Sequence, residues 1–243
     1  IETDAVAKKI YSLAFGCGRD QRVLIVSEKK VSSGESFGTE KELLERFFVL
    51  LREIDPDILV GWNVIDFDMR VIAERCQELE VPFCMGRGEG LTKITHRKRF
   101  MERSRVVAEG RQVVDLLGWV RSAVKLEDYT LETVAQYYLQ EGKHLHFVDK
   151  AKEIEHLYLK DPQKLAAYNL KDAQLVLRIL EKCGLLSLYL QLSSLTGLML
   201  DEVKGSIASF DSVYLRRLRQ RGYVAVSVGH AVKEERITGG YVM

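Results

Sequence analysis

One aspartate stands where the sequence is otherwise apolar. At about 100° per residue, the stretch DPQKLAAYNLKDAQLVLRILEKC (161–183) puts Lys164, Lys171, Gln174, Arg178 and Lys182 on one polar face. The rest of the circumference is nearly all apolar, from Leu165 and Ala166 to Ile179 and Leu180, and Asp172 falls inside it, one turn after Tyr168. A carboxylate on a buried face is costly unless it is paired or binds a metal. A core arginine would satisfy it as well as a cation would. The stretch GWNVIDFDMR (61–70) raises the same question. A short apolar run delivers the chain to Asn63, and Asp66 and Asp68 follow with Phe67 between them. Aspartate is a favoured helix N-cap, but two cannot cap one position, and Asp66 is the one expected to cap. Strand ends are also where α/β folds place ligand sites. A third carboxylate, Glu2, lies in the opening IET. On a strand beside residues 10–17 it would point to the same sheet edge; otherwise it is a solvated terminal residue. Hard dications such as Mg²⁺ and Mn²⁺ prefer carboxylate and water oxygens. Two of them ~4 Å apart clamp an in-line displacement at phosphorus. Glu2, Asp68 and Asp172 are few ligands for two such ions.

The elements that would hold these residues follow from periodicity. IYSLAFGC (10–17) and RVLIVSE (22–28) read as strands joined by a turn at GRD. TEKELLERFFVLLREI (39–54) is an amphipathic helix with Thr39 and Glu42 spaced as a capping box. DILVGW (57–62) is short enough to be a buried strand, and a helix from Asp66 or Asp68 should run to about Leu79, before Pro82. Residues 91–107 suggest a hairpin, and QVVDLLGWV (112–120) another buried strand. YTLETVAQYYL (129–139) and AKEIEHLYL (151–159) read as helices. A long helix starts at Asp161-Pro162 and runs to Gly184. A last helix, roughly 201–221, carries Val203, Ile207, Phe210, Tyr214 and Leu218 on one stripe. Residues 222–243 turn strand-like and then glycine-rich. The alternation predicts a mixed α/β sheet flanked by helices.

Composition narrows the class further. At 243 residues, 47% hydrophobic and 29% charged, the chain can bury a sizeable core. A net charge of +1 makes no case for a nucleic-acid partner, so local distribution must make it. Cys17, Cys76, Cys84 and Cys183 are widely spaced, which predicts a reduced, cytoplasmic compartment rather than a disulfide framework or zinc site. No apolar run approaches the ~20 residues of a membrane span, and the first residues do not form a signal peptide. His144 and His146 in HLH could share a strand face, but two histidines without partners read as structural.

In order, these residues match a pattern. Ile1-Glu2 is the tail of an Asp-x-Glu motif. Asn63, Phe67 and Asp68 form an Asn, spacer, aromatic-Asp motif. Tyr168 and Asp172 form Tyr-x-x-x-Asp. With the contexts DPDILVGWNVIDFD and VVDLLGWVRSAVKLEDYTLETVAQYYLQEGK, the chain resembles the 3′–5′ proofreading exonuclease domain of family-B DNA polymerases, in particular their bacterial DNA polymerase II branch. The closing ITGGYV resembles the linker to a polymerase palm. The resemblance implies a ribonuclease H-like domain over 1–184 and, over 185–243, a helical extension and linker toward palm, fingers and thumb domains of a parent chain. It implies hydrolysis of the 3′-terminal phosphodiester of single-stranded DNA beside the nucleoid, with two Mg²⁺ or Mn²⁺ held by Glu2, Asp68 and Asp172. Tyr168 would orient the attacking water, and Thr3, Asn63, Phe67, Arg97 and Arg99 would contact DNA. The basic residues Lys98, Arg103 and Arg105, and Arg216, Arg217, Arg219 and Arg221, are further candidates for phosphate contacts. The first-motif aspartate would lie just before Ile1, so these residues alone are expected to be impaired. Two other readings stay open: a stand-alone nuclease of the same fold, acting on RNA or DNA, and a non-catalytic module that binds single-stranded DNA or holds polymerase domains together.

Overall fold

The computed structural model describes residues 1–18, 20–95, 104–141, 150–203 and 205–225. The first sheet has four strands in chain order: β1 (Glu2–Thr3), β2 (Ile10–Cys17), β3 (Asp20–Val26) and β4 (Glu35–Phe37). β1–β2 and β2–β3 are antiparallel, and β3–β4 is parallel, so the sheet is mixed. Side chains alternate across a strand, and β3 uses that alternation to serve two cores. Leu24 and Val26 join the cluster of α1 (Glu40–Ile54), with Leu43, Leu44, Phe47 and Leu51. Val23 and Ile25 turn to the other face. α1 begins at the expected capping box: the Thr39 hydroxyl accepts from Glu42 N–H at 3.3 Å, and the Glu42 carboxylate accepts from Thr39 N–H at 3.1 Å.

A second, two-stranded sheet stands beside the first. β5 (Ile58–Gly61) leads through a π-helical turn (Ile65–Met69) into α2 (Arg70–Glu78). Glu40 and Arg75 lock α2 to α1 with a bidentate pair at 2.8 and 3.0 Å, and Glu40 also accepts from Ile10 N–H. The expected hairpin keeps its two arms, β6 (Lys93–Thr95) and β7 (Arg105–Val107). β8 (Gln112–Asp115) then runs parallel to β5, in register from Ile58 opposite Gln112 to Gly61 opposite Asp115. The two strands therefore end level.

The expected strand over 112–120 is corrected here. It stops at Asp115, and α3 (Leu116–Ala123) follows, because Asp115 Oδ1 accepts from Leu117 N–H at 3.1 Å and caps the helix. An apolar run alone does not distinguish a buried strand from a buried helix. α4 (Leu131–Leu139), α5 (Lys150–Lys160) and α6 (Pro162–Cys183) follow the expected positions, α6 capped by Asp161 and ended by Gly184 at φ +65°. Ile154 and Leu157 of α5 and Leu165 and Ala166 of α6 cover the Val23–Ile25 face of the sheet. A helix absent from the sequence reading, α7 (Leu185–Thr196), begins directly after Gly184, and its Tyr189 stacks on Trp119 at 4.1 Å. The last helix, α8 (Ser206–Gln220), starts later than expected, leaving Val203 buried in the turn before it. Among the described residues, no helix is long and apolar enough to cross a membrane.

Candidate active site

β1 aims Glu2. It lies opposite Ser12 in the antiparallel ladder, and opposite residues share a sheet face. On that face Ser12 Oγ accepts from Asn169 Nδ2 of α6 at 2.9 Å, a contact buried on both sides. Glu2 is thereby carried toward the preceding residue of α6, Tyr168, and is itself buried. The Asn169–Ser12 contact spans 157 residues of sequence. It had no local signature.

Asp68 arrives from β5. Beyond Gly61 the chain turns at Asn63, a left-handed residue at φ +56°. Its N–H donates to Asp115 Oδ1 at 3.0 Å, the same oxygen that caps α3. One carboxylate thus fixes the exits of both β5 and β8. Asn63 O accepts from Phe67 N–H and Val64 O from Met69 N–H, giving the π turn. Asp66, expected as a helix cap, is corrected: it sits exposed inside this turn and makes no capping bond, because the Asn63 and Val64 carbonyls start the turn before it. Asp68, one residue from its end, faces inward. The Ile1 α-amino group donates to Asp68 Oδ1 at 2.7 Å. Burial pulls that ammonium's pKa down, but the charges of Asp68 and then Glu2 outweigh it and leave it raised. The ammonium is a positive charge beside these two carboxylates.

α6 supplies Tyr168 and Asp172, four residues apart and so on one face. Burial, then the charges of Asp172 and Glu2, push the Tyr168 phenol well above its ordinary range. At neutral pH it is a hydrogen-bond donor and not a base. A sixth group went unnoticed in the sequence. Lys150, the first residue of α5, brings Nζ to 3.6 Å from Glu2 Oε1 and 5.6 Å from the Tyr168 ring. Nothing in its local sequence marks it.

Glu2, Asp68, Tyr168, Asp172, Phe67 and Lys150 all line one cleft of about 740 Å³. Its acidic end lies at these residues, and its apolar length runs between β2 and β5. Asn63 is exposed and does not line it. Thr3 is buried, its hydroxyl donating to the Asp4 carbonyl. Arg97 and Arg99, with Lys98, Arg103, His144 and His146, lie outside the described residues. Arg105 is paired with Asp201 and Glu202, and Arg216 with backbone carbonyls of α7. Carboxylates as donors suit a hard dication. Among the described residues, however, no three acidic, histidine or cysteine side chains converge as a closed metal cluster. The residues fit the chemistry of such ions, with Asp68 turned to the ammonium.

Residues 17–134 match the family model described as DNA polymerase family B, exonuclease domain. The chain is similar to DNA polymerase II of Escherichia coli (strain K12), 32% identical over 237 residues, covering 94% of this chain and 30% of that protein. It is similar to the DNA polymerase delta catalytic subunit of Caenorhabditis elegans, 30% identical over 213 residues, covering 76% of this chain and 18% of that protein. It is also similar to a DNA polymerase of Thermococcus sp. (strain 9oN-7), 28% identical over 236 residues, covering 96% and 29%. The chain spans less than a third of the length of these relatives.

Proposed function

We propose that this chain is the 3′–5′ proofreading exonuclease part of a family-B DNA polymerase, because residues 17–134 match the model of that family's exonuclease domain. The observation that carries the reading is the meeting of Glu2, Asp68, Tyr168 and Asp172, from the first strand, the exit of β5 and a late helix, in one cleft. The proposed fold is ribonuclease H-like over residues 1–184, with residues 185–243 a helical extension toward the palm. The proposed reaction is hydrolysis of the 3′-terminal phosphodiester of single-stranded DNA.

Glu2, Asp68 and Asp172 would hold two Mg²⁺ or Mn²⁺, with the aspartate that the resemblance puts before Ile1 as a further ligand. When bound, these ions supply the charge that acidifies a water and neutralises a leaving oxygen. The chain's own residues do the positioning. Tyr168, kept protonated by burial and two carboxylates, donates a hydrogen bond that orients the attacking water. Lys150 offers a positive charge to the phosphate once Glu2 is otherwise engaged. Phe67, on the cleft wall, packs on a terminal base or sugar, a contact indifferent to sequence. Asn63 and Thr3 are proposed to act on DNA from outside the cleft lining, and Arg97 and Arg99 through phosphates. Selection of errors comes from fraying, since a mismatched terminus unpairs at lower cost. The compartment that fits is the cytoplasm, at the nucleoid.

The test is degradation of end-labelled single-stranded DNA by this chain and by one extended upstream through the expected aspartate, each as wild type and as Asp68→Ala. Turnover by the extended wild type and none by a cooperatively melting Asp68→Ala variant is expected. Undiminished turnover in that variant would sink the assignment. Metal-independent single-strand binding without turnover in either length would favour the non-catalytic module.

A further inference from the structure

Helix α8 is fastened to the fold by its polar side. Ser209 Oγ donates to Val203 O at 2.9 Å, and Ser212 Oγ donates to Thr196 O at 2.5 Å. Arg216 donates to Leu195 O at 2.9 Å and to Thr196 O at 2.6 Å. These three residues repeat at i, i+3 and i+7, so they share one side of the helix. Ser212 and Arg216 satisfy carbonyls at the end of α7 that no donor within that helix reaches, and Ser209 satisfies one in the turn before α8. Ile207, Phe210 and Tyr214 repeat with the same spacing on the opposite side. Ile207 is 74% exposed, Phe210 63% and Tyr214 48%. No residue of α8 is buried. A surface helix of a finished fold turns its apolar stripe to the core and its polar side to water. α8 does the reverse, which marks the stripe as an interaction surface.

We propose that the outward stripe of Ile207, Phe210 and Tyr214 docks on an apolar surface of the polymerase part of a longer family-B chain. The proposal rests on the family reading above. The occupant follows from length. The relatives are more than three times as long as the portion this chain matches. A match spanning 94% of this chain leaves out fewer residues than the 23 that follow α8, so α8 belongs to the part shared with a whole polymerase. Single-stranded nucleic acid fits the stripe less well, even with Arg217 and Arg221 at its end. The Phe210 and Tyr214 rings stack on each other at 5.2 Å and 16°, which takes one face of each away from a base. Ile207 offers a base no ring to stack on. An apolar protein surface would use all three side chains.

The test is amide hydrogen exchange on the longer polymerase chain that carries these residues, as wild type and as the Ile207→Ser, Phe210→Ser, Tyr214→Ser triple variant. Serine has nearly the helix propensity of the residues it replaces, so intrinsic fraying is unchanged. The expected result is at least tenfold faster exchange in α8 of the variant, with α1 and α6 unchanged. The same substitutions in the 243-residue chain should leave α8 exchange nearly as it was. Equal α8 exchange in the two long chains overturns the proposal. So does concentration-dependent dimerisation of the 243-residue chain that the substitutions abolish, which would make a second copy the occupant. Loss of single-stranded DNA binding by the variant, with α8 protection in the long chain intact, would assign the stripe to nucleic acid instead. None of these readouts is nuclease turnover, so failure of this proposal and failure of the exonuclease reading are separable.

Discussion

Asp115→Ala should loosen the exits of both parallel strands at once. Asp115 Oδ1 accepts from Leu117 N–H at 3.1 Å and from Asn63 N–H at 3.0 Å. Losing an aspartate N-cap costs about 1 kcal/mol. The Asn63 bond is solvent-exposed, so water replaces much of it, and its loss adds roughly 0.5–1.5 kcal/mol. Together that is about 2 kcal/mol, or roughly 4–8 °C in Tm for a chain of this size. Asparagine caps about as well as aspartate, so Asp115→Asn should lose less than half as much. The functional effect should exceed the thermodynamic one. Asn63 holds a left-handed conformation, φ +56°, and without its tether the turn carrying Phe67 and Asp68 can relax. Displacement of a reacting group by about 1 Å costs on the order of 100-fold in rate. The assay pairs urea unfolding with single-stranded DNA degradation well below the variant's Tm, in the chain extended upstream. An Asp115→Ala protein that unfolds like wild type, or that degrades DNA at the wild-type rate, would refute the idea that this carboxylate anchors the site.

Other expectations follow from single contacts. A Cβ at Gly61 would lie 2.7 Å from the Val64 Cβ, so Gly61→Ala should destabilise by about 1–3 kcal/mol through overpacking, read by urea midpoint. Ser12→Ala and Asn169→Ala remove the two ends of one buried hydrogen bond; a double-mutant cycle should show coupling of about 0.5–1.5 kcal/mol, and a coupling near zero would detach β1 and β2 from the positioning of α6. The Asp55 carboxyl is held below its ordinary value of 3.8 by Arg87 and then Arg111. A depressed carboxylate contributes stability above its unfolded pKa and loses it as pH falls through the folded one. Stability should therefore drop as pH falls below 3.8, and Asp55→Asn should flatten that acid limb in a urea–pH series.

Much of this arrangement was legible because it obeys local rules. The Thr39–Glu42 capping box and the Asp161-Pro162 start of α6 are short-range chemistry that nearby residues declare. Asp172 stood out because a charge in an apolar arc is costly, and the structure turns it into the cleft beside Tyr168. What stayed hidden depends on partners far away in sequence. Asp115 meets Asn63 across 52 residues and Asn169 meets Ser12 across 157. Lys150 reaches Glu2 only because α5 packs beside β1. The strand-to-helix change at Asp115 and the existence of α7 were missed because VVDLLGWV and LLSLYLQLSSLT are apolar without a clear period, and packing decides such runs. The stripe on α8 was legible as a stripe, but not the direction it faces.

The most direct measurement of the central claim is product analysis on single-stranded DNA labelled separately at each end, using the chain extended upstream, with Mg²⁺ or Mn²⁺ and with chelator. A 3′ label is expected to be released at once as nucleoside monophosphate, a 5′ label to persist in a ladder of shortening strands, and chelator to stop both. Release from the 5′ end, internal cuts, or undiminished turnover with chelator would contradict that claim.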